Sequence, residues 1–274
     1  MTSQQNRSHS ERFAEIPEVL EELKDGRFVI IVDDKDRENE GDLCIAAEHV
    51  TADSITFLLN EARGFQCLAV SPRIAAEMNL KPMVEDNRSQ YGTPFTVTVD
   101  AREGITTGVS AADRARTIRT VVDDDSDAED LVRPGHVLPL LARRGGTLVR
   151  AGHTEAAVDL ARLAGLKGAA VICEVMNSDG TMARLPDLEE MAERFDLKIC
   201  STADIIRHRH QSEYLVASTV RVALPTDYGH FNVHYYASEV DDREHVAVCC
   251  GDIGTEDGTP ANPIDEPVLV RVHD

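Results

Sequence analysis

The stretch RAGHTEAAVDLARLAGLKGAAVICEV, residues 150–175, decides the fold class. Its first part, 154–164, predicts a helix rich in small side chains, and 169–175, opening on the apolar run 169–173, predicts a buried strand. Outward from it, helices and strands keep mixing without a clean strand–helix–strand repeat. Toward the N-terminus, Ile16, Val19, Leu20 and Leu23 give a helical spacing over 11–25, stopped at Gly26. A β-like run at 28–32 opens onto an acidic loop, 33–42. A helix is expected over 52–63, closed by Gly64, and strands over 66–70 and 95–99. A Gly-Val-Ser step at 108–110 caps a helix over 111–121, and two more helices follow at 186–195 and 203–210. This pattern predicts an α/β (α+β) fold, a mixed sheet flanked by helices.

Composition changes near Glu213. VASTVRVAL (216–224), FNVHYYA (231–237), HVAVCC (245–250) and VLVRV (268–272) read as strands separated by turn residues. The expected domains are 1–212 and a short β-rich segment, 213–274.

Composition narrows the function. The 274 residues are 42% hydrophobic, enough for a packed core. A net charge of −21 argues against a nucleic-acid surface, because phosphate backbones attract Lys and Arg. Five Lys stand against 23 Arg, which suits a salt-rich cytoplasm as well as it suits an ordinary soluble acidic protein. No run of about 18 apolar residues suggests a membrane span, and the polar opening MTSQQNRSHS shows no signal peptide. Cysteines 44, 67, 173, 200, 249 and 250 form no C-x-x-C pair, so reduced and mostly buried thiols are expected. A cytoplasmic enzyme fits these limits.

Five constellations could carry chemistry. The loop 33–42, DDKDRENEGD, puts six acids in ten residues after a strand. Such carboxylates repel unless a cation or arginine neutralises them, so either a hard metal or a solvated loop is implied. An EF-hand fails on spacing, since its twelfth position would fall on Ala47. RAGHTE (150–155) precedes a helix, whose first amides and dipole suit an anion. There Arg150 could grip phosphate oxygens, Gly152 lets the backbone approach, and His153 is either a ligand or an ordinary loop histidine. TTGVS (106–110) is a second phosphate cradle or simply an N-cap at Ser110. RPGH (133–136) holds the His136 ring in a Pro-Gly turn, and Glu174 ends an apolar strand, either buried with a partner or turned to solvent. The acidic run 123–130 reads as a solvated loop.

Taken together, VDDKDRENEGDL, TGVSAADRARTI, RPGHVLPL, RAGHTEAAVDLARLAGL and AAVICEVM resemble the 3,4-dihydroxy-2-butanone 4-phosphate synthase family over about 16–210. Small departures occur, such as Leu138 where an aromatic is common. The resemblance implies conversion of ribulose 5-phosphate to the four-carbon riboflavin precursor and formate, by enolisation, dehydration, skeletal rearrangement and loss of one carbon. It implies Mg²⁺ or Mn²⁺, two ions per site, held by Glu38 and His153. Arg37, Glu38 and Asp42 would contact the sugar hydroxyls. Arg150, Ala151, Gly152, His153 and Thr154 would seat the phosphate, with Thr107 a helper. His136 and Glu174 would be the acid–base residues, Glu174 also touching substrate and standing first as general base, with Asp42 next. The family is homodimeric with its site at the subunit interface. The segment 214–274, with LPTDYGHF (224–231) and the closing VLVRVHD, resembles the start of a GTP cyclohydrolase II domain. That family's zinc cysteines come after such a strand, and the adjacent Cys249 and Cys250 cannot replace them, so GTP hydrolysis is not expected. Rival readings are another metal-dependent sugar-phosphate enzyme, which would release no formate, and an inactive scaffold.

Overall fold

Among the described residues, two helices come first, α1 (His9–Arg12) and α2 (Ile16–Lys24). The single helix expected over 11–25 is broken because Pro17 lies in the first turn of α2, a position where its missing N–H costs nothing but which a longer helix could not cross without loss. The computed structural model describes residues 9–238, 240, 243–251 and 267–272. These divide between Ser212 and Glu213 into two units, each described by itself.

In the first unit, seven strands form one sheet: β1 (Val29–Val32), β2 (Gly41–Ala46), β3 (Cys67–Val70), β4 (Val99–Ala101), β5 (Leu131–Leu141), β6 (Ala169–Glu174) and β7 (Lys198–Ser201). Their order is β4-β5-β3-β6-β2-β1-β7. β1 pairs with β7 and β3 with β5 in parallel, and the other neighbours are antiparallel. The sheet is therefore mixed, as the sequence led us to expect.

Strand periodicity splits the apolar residues between two cores. Ile30, Val32, Leu43, Ile45, Leu68 and Val171 pack on one face with α3 (Ala52–Phe57), α5 (Ala111–Val122) and α7 (Leu185–Phe195). Val29, Ile31, Cys44, Cys67, Ala69 and Ile172 pack on the other with α2, α6 (His153–Leu163) and α8 (Thr202–Ser212). A short α4 (Pro72–Glu77) completes the first face. Every residue of β1 and β2 is buried because helices cover both sides of the sheet. Helix α6 is buried from His153 through Ala161, and its alanines let it lie close against the strands.

Three local expectations need correction. The helix over 52–63 changes after Phe57 to a π-helical turn, Leu58–Ala62, and its left-handed end is Arg63 (φ 65°), not Gly64. Gly64 serves a close approach to β6 instead. The strand expected at 95–99 begins only at Val99, because Phe95 makes just an isolated bridge to Leu140. RPGH is not a turn between elements. It lies within β5, as a bulge where Asp100 pairs with Val132 while the adjacent Val99 pairs with Val137. The run 123–130 is largely exposed, with a 3-10 turn at Ala128–Asp130.

The second unit contains β8 (Val216–Thr226), β9 (Gly229–Ser238) and β10 (Glu244–Cys250), antiparallel in the order β10-β9-β8. The strand expected at VLVRV does not form, since residues 267–272 carry no regular structure. Val220, Val222, Leu224, Val246 and Val248 are exposed. Cys44, Cys67, Cys173 and Cys200 are buried free thiols, Cys249 is half-buried and Cys250 exposed. Among the described residues, no helix is long and apolar enough to cross a membrane.

Candidate active site

The acidic loop is wound around its first member. Asp33 leaves β1 with a buried side chain whose Oδ2 accepts from Arg37 Nη1 (2.8 Å) and Glu38 N (2.9 Å), while Oδ1 accepts from Glu40 N (2.9 Å). These bonds turn the chain back into β2 and aim Glu38 inward. Sequence reasoning gave Asp33 no role of its own. Its one distinguishing signal was being the first acid after an all-apolar strand. The Arg37 guanidinium also meets Glu38 Oε1 at 2.9 Å and lies over the Tyr91 ring, 5.5 Å from its centroid. Tyr91 Oη donates to the Arg37 carbonyl (3.2 Å).

Sheet register supplies the next two carboxylates. Asp42 and Glu174 are direct partners across β2 and β6. Alternation with Cys44 and Ile172 puts both on the face covered by α6. Helix α6 begins at His153 behind Gly152, an N-cap without a side chain to satisfy the first amides. His153 is thereby delivered to the acids, its Nδ1 3.5 Å from Glu38 Oε2 and 3.9 Å from Asp42 Oδ1. One ligand atom each from Asp33, Glu38 and His153 lies within 4.8 Å of the others. Glu174 is half-buried, and its Oε2 accepts from Phe65 N (3.0 Å).

The electrostatics of this cluster show a shortage of positive charge. Burial pushes Asp42 up to about 7. Burial likewise raises Glu40. For His153, burial opposes the charged ring, but Asp42, Glu38 and Asp33 outweigh it and raise it to about 9. Glu38 is lowered, first by the hydrogen bond from His153. Three groups thus move toward gaining protons. His153 Nε2 and Asp42 Oδ1 are moreover buried without a hydrogen-bond partner. Carboxylate oxygens and an imidazole with unpartnered buried atoms fit a hard divalent cation, which would supply the missing charge.

Of the expected phosphate seat, Ala151 is exposed while Gly152, His153 and Thr154 are buried at the start of α6. Arg150 is tied down, Nη1 to Glu155 Oε2 (2.6 Å) and Nη2 to the Tyr91 carbonyl (3.1 Å). Glu155, fully buried, also accepts from Arg143 N (3.1 Å). A cleft of about 720 Å³ adjoins the loop, lined in part by Asp33, Asp36, Asn39, Glu40 and Ala151. His136 is not brought into the cluster. It precedes Leu138, the β3 partner of Cys67, so β3 lies between it and Glu174, a separation of roughly 10 Å at two strand spacings. Thr107 stands beside Gly108, which packs against His136.

Comparison with known proteins shows the family. Residues 17–208 match the profile of the 3,4-dihydroxy-2-butanone 4-phosphate synthase family. The chain belongs to this family. Residues 217–274 match the GTP cyclohydrolase II profile. The riboflavin biosynthesis protein RibBA of Bacillus subtilis is 49% identical over 261 residues, covering 95% of this chain and 63% of the relative. RibBA of Aquifex aeolicus is 48% identical over 264 residues, covering 96% and 63%. The chain thus spans about 63% of the length of these relatives. Among solved structures, RibBX of A. baumannii, a two-domain synthase of the family, superposes with TM-score 0.77 at 44% identity, covering 87% of this chain and 70% of that one. A family synthase in complex with two magnesium ions superposes with TM-score 0.70 at 40% identity, covering 73% and 98%.

Proposed function

We propose that this chain converts D-ribulose 5-phosphate to 3,4-dihydroxy-2-butanone 4-phosphate and formate, as a magnesium-dependent lyase of riboflavin biosynthesis. The observation that carries the reading is that His153 Nε2 and Asp42 Oδ1 are buried without a hydrogen-bond partner among carboxylates, which suits a cation, beside a helix start whose first amides suit an anion. On this reading residues 1–212 are the synthase domain and 213–274 a GTP cyclohydrolase II-like segment.

Glu38 and His153 would hold the cation, Mg²⁺ or Mn²⁺, with two ions in each site; a neighbour of the family was solved in complex with two magnesium ions. When bound, the metal stabilises negative charge on the substrate oxygens as a Lewis acid. Arg37, Glu38 and Asp42 bind the sugar hydroxyls. Arg150, Ala151, Gly152, His153 and Thr154, at and before the first amides of α6, bind the phosphate. Glu174 takes the proton from the carbon beside the ketone. The Phe65 amide steadies its Oε2, and its other oxygen has no protein partner among the described residues. Asp42, its neighbour across the strands, passes a proton to the departing hydroxyl. His136 is the second acid–base group. It is exposed and two strand spacings from Glu174, a placement that suits service at an interface, so we propose a homodimer with the site between subunits.

The test is formate release from ribulose 5-phosphate by metal-stripped protein, with and without added Mg²⁺, beside Glu174→Gln and His136→Ala. Release restored by Mg²⁺ and lost in both variants is expected. Undiminished release in EDTA, or pentose isomerisation without formate, would refute the assignment.

A further inference from the structure

The bulge that carries His136 closes around one carboxylate. Asp100, in β4, is 5% exposed. Its Oδ1 accepts the backbone N–H of His136 at 2.9 Å, and its Oδ2 lies 2.7 Å from His136 Nδ1. Both oxygens therefore grip a single residue, one by the main chain and the other by the ring. A carboxylate accepts hydrogen bonds and has no hydrogen to donate, so the hydrogen in the ring contact belongs to Nδ1. In the neutral ring Nε2 is then bare, and it has no protein partner among the described residues.

A second support guards this bond. Gly108 takes φ +88°, and a Cβ built there would stand 2.5 Å from His136 Nδ1 and 2.8 Å from Asp100 Cγ. Only a residue without a side chain leaves space for the Asp100–His136 contact. Asp113, in α5, holds Gly108 in place by accepting from Gly108 N (3.1 Å), Thr106 N (3.0 Å) and Thr106 Oγ1 (2.7 Å). Strand, loop and helix thus converge on the orientation of one imidazole.

We infer that Asp100 is a positioning residue for His136, fixing the ring in the tautomer that offers Nε2 to the substrate. The inference rests on reading His136 as an acid–base residue of the proposed reaction. A bare Nε2 can accept a proton, and the Asp100 carboxylate then stabilises the imidazolium that results. Asparagine at this position reverses the arrangement. Its carbonyl must still receive the His136 backbone N–H, so its amide nitrogen faces Nδ1 and donates to it. The ring hydrogen moves to Nε2, and the ring can no longer act as a base, the logic known from the serine-protease triad.

The test uses the full chain with ¹⁵N-labelled histidine. In the wild type, the NMR signals of the neutral His136 ring should show the hydrogen on Nδ1, and in Asp100→Asn on Nε2. Formate turnover in Asp100→Asn should fall by ~10²–10⁴-fold, with KM for ribulose 5-phosphate and the Mg²⁺-induced rise in Tm little changed. A wild-type ring carrying its hydrogen on Nε2 overturns the inference without recourse to any variant. Asp100→Asn that keeps the wild-type tautomer, or shifts it without loss of turnover, also overturns it. Wild-type turnover in Asp100→Asn beside an inactive His136→Ala refutes the inference alone. Wild-type turnover in His136→Ala refutes the underlying reading of His136, a result of a different kind.

Discussion

Gly64→Ala should slow the proposed reaction by displacing Glu174. Its backbone needs no left-handed conformation, so the cost is one of space. A Cβ at this position stands 2.8 Å from the carbonyl carbon of Glu174 and 3.1 Å from its Cα, with the carbonyl oxygen nearer still. Restoring an ordinary 3.4 Å contact moves the carbonyl carbon by about 0.6 Å and the oxygen by more. The obstacle is backbone on both sides, which cannot swing aside as a side chain could. The end of β6 must therefore shift by on the order of 1 Å, carrying Glu174 with it, and a misplacement of that size costs about 10²-fold in rate. Overpacking should also cost about 1–3 kcal/mol of stability, or roughly 2–4 °C in Tm per kcal/mol for a domain of this size. The assay is steady-state formate release together with thermal melting. The fall should lie mainly in kcat, since the proposed phosphate seat is on another element. A folded Gly64→Ala protein with wild-type kcat would refute the argument that Gly64 exists to let β6 present Glu174.

Mg²⁺ at about 100 times its Kd should stabilise the wild type by about 2.7 kcal/mol, and Glu38→Gln or His153→Ala should abolish the shift; a wild-type Tm indifferent to Mg²⁺ would remove the metal centre. Arg150→Lys should raise KM about tenfold, equivalent to about 1.4 kcal/mol, with a smaller effect on kcat. Lysine cannot hold Glu155, the Tyr91 carbonyl and a phosphate at once, and an unchanged KM would move the phosphate elsewhere. Asp113 is held down to about 2 by its hydrogen bonds from the Thr106 side chain and backbone and from Gly108. Because the folded value lies below the unfolded one, its contribution is complete above about pH 4 and is lost as pH falls toward 2. Urea midpoints followed through this window should fall more steeply for wild type than for Asp113→Asn; parallel curves would contradict it.

Much of the architecture was legible because helices covering both faces of a sheet force near-continuous apolar strands, as at 28–32 and 169–175. Strand β2 escaped notice for a related reason: its first two residues, Gly41 and Asp42, belong to the acidic loop by composition and to the sheet by register. The break at Pro17 was visible in principle, whereas the left-handed Arg63 was not, since nothing local distinguishes it from a helical residue. In the candidate site, residue types and motif order pointed to Glu38, Asp42, His153 and Glu174, but their meeting depends on the antiparallel pairing of β2 with β6, which no local pattern encodes. Asp33 and Asp100 could not be singled out among 49 acids, because their importance lies in which backbone amides they accept from. His136 was found as a residue type in a Pro-Gly context, while the bulge that displays it required the partner strand β4.

The facing of Asp42 and Glu174 also makes the site a gauge of strand alignment. Asp42 is the second residue of β2 and Glu174 closes β6, from segments more than a hundred residues apart. A slip of one residue in β2 would carry Asp42 through the sheet to the opposite face, stranding His153 without its buried acid. Refolding chains with such a slip would keep their β content and much of their hydrophobic burial, yet would be blind to magnesium. Metal-induced stabilisation in a refolding mixture therefore counts the correctly aligned molecules, a quantity that far-ultraviolet spectroscopy cannot report.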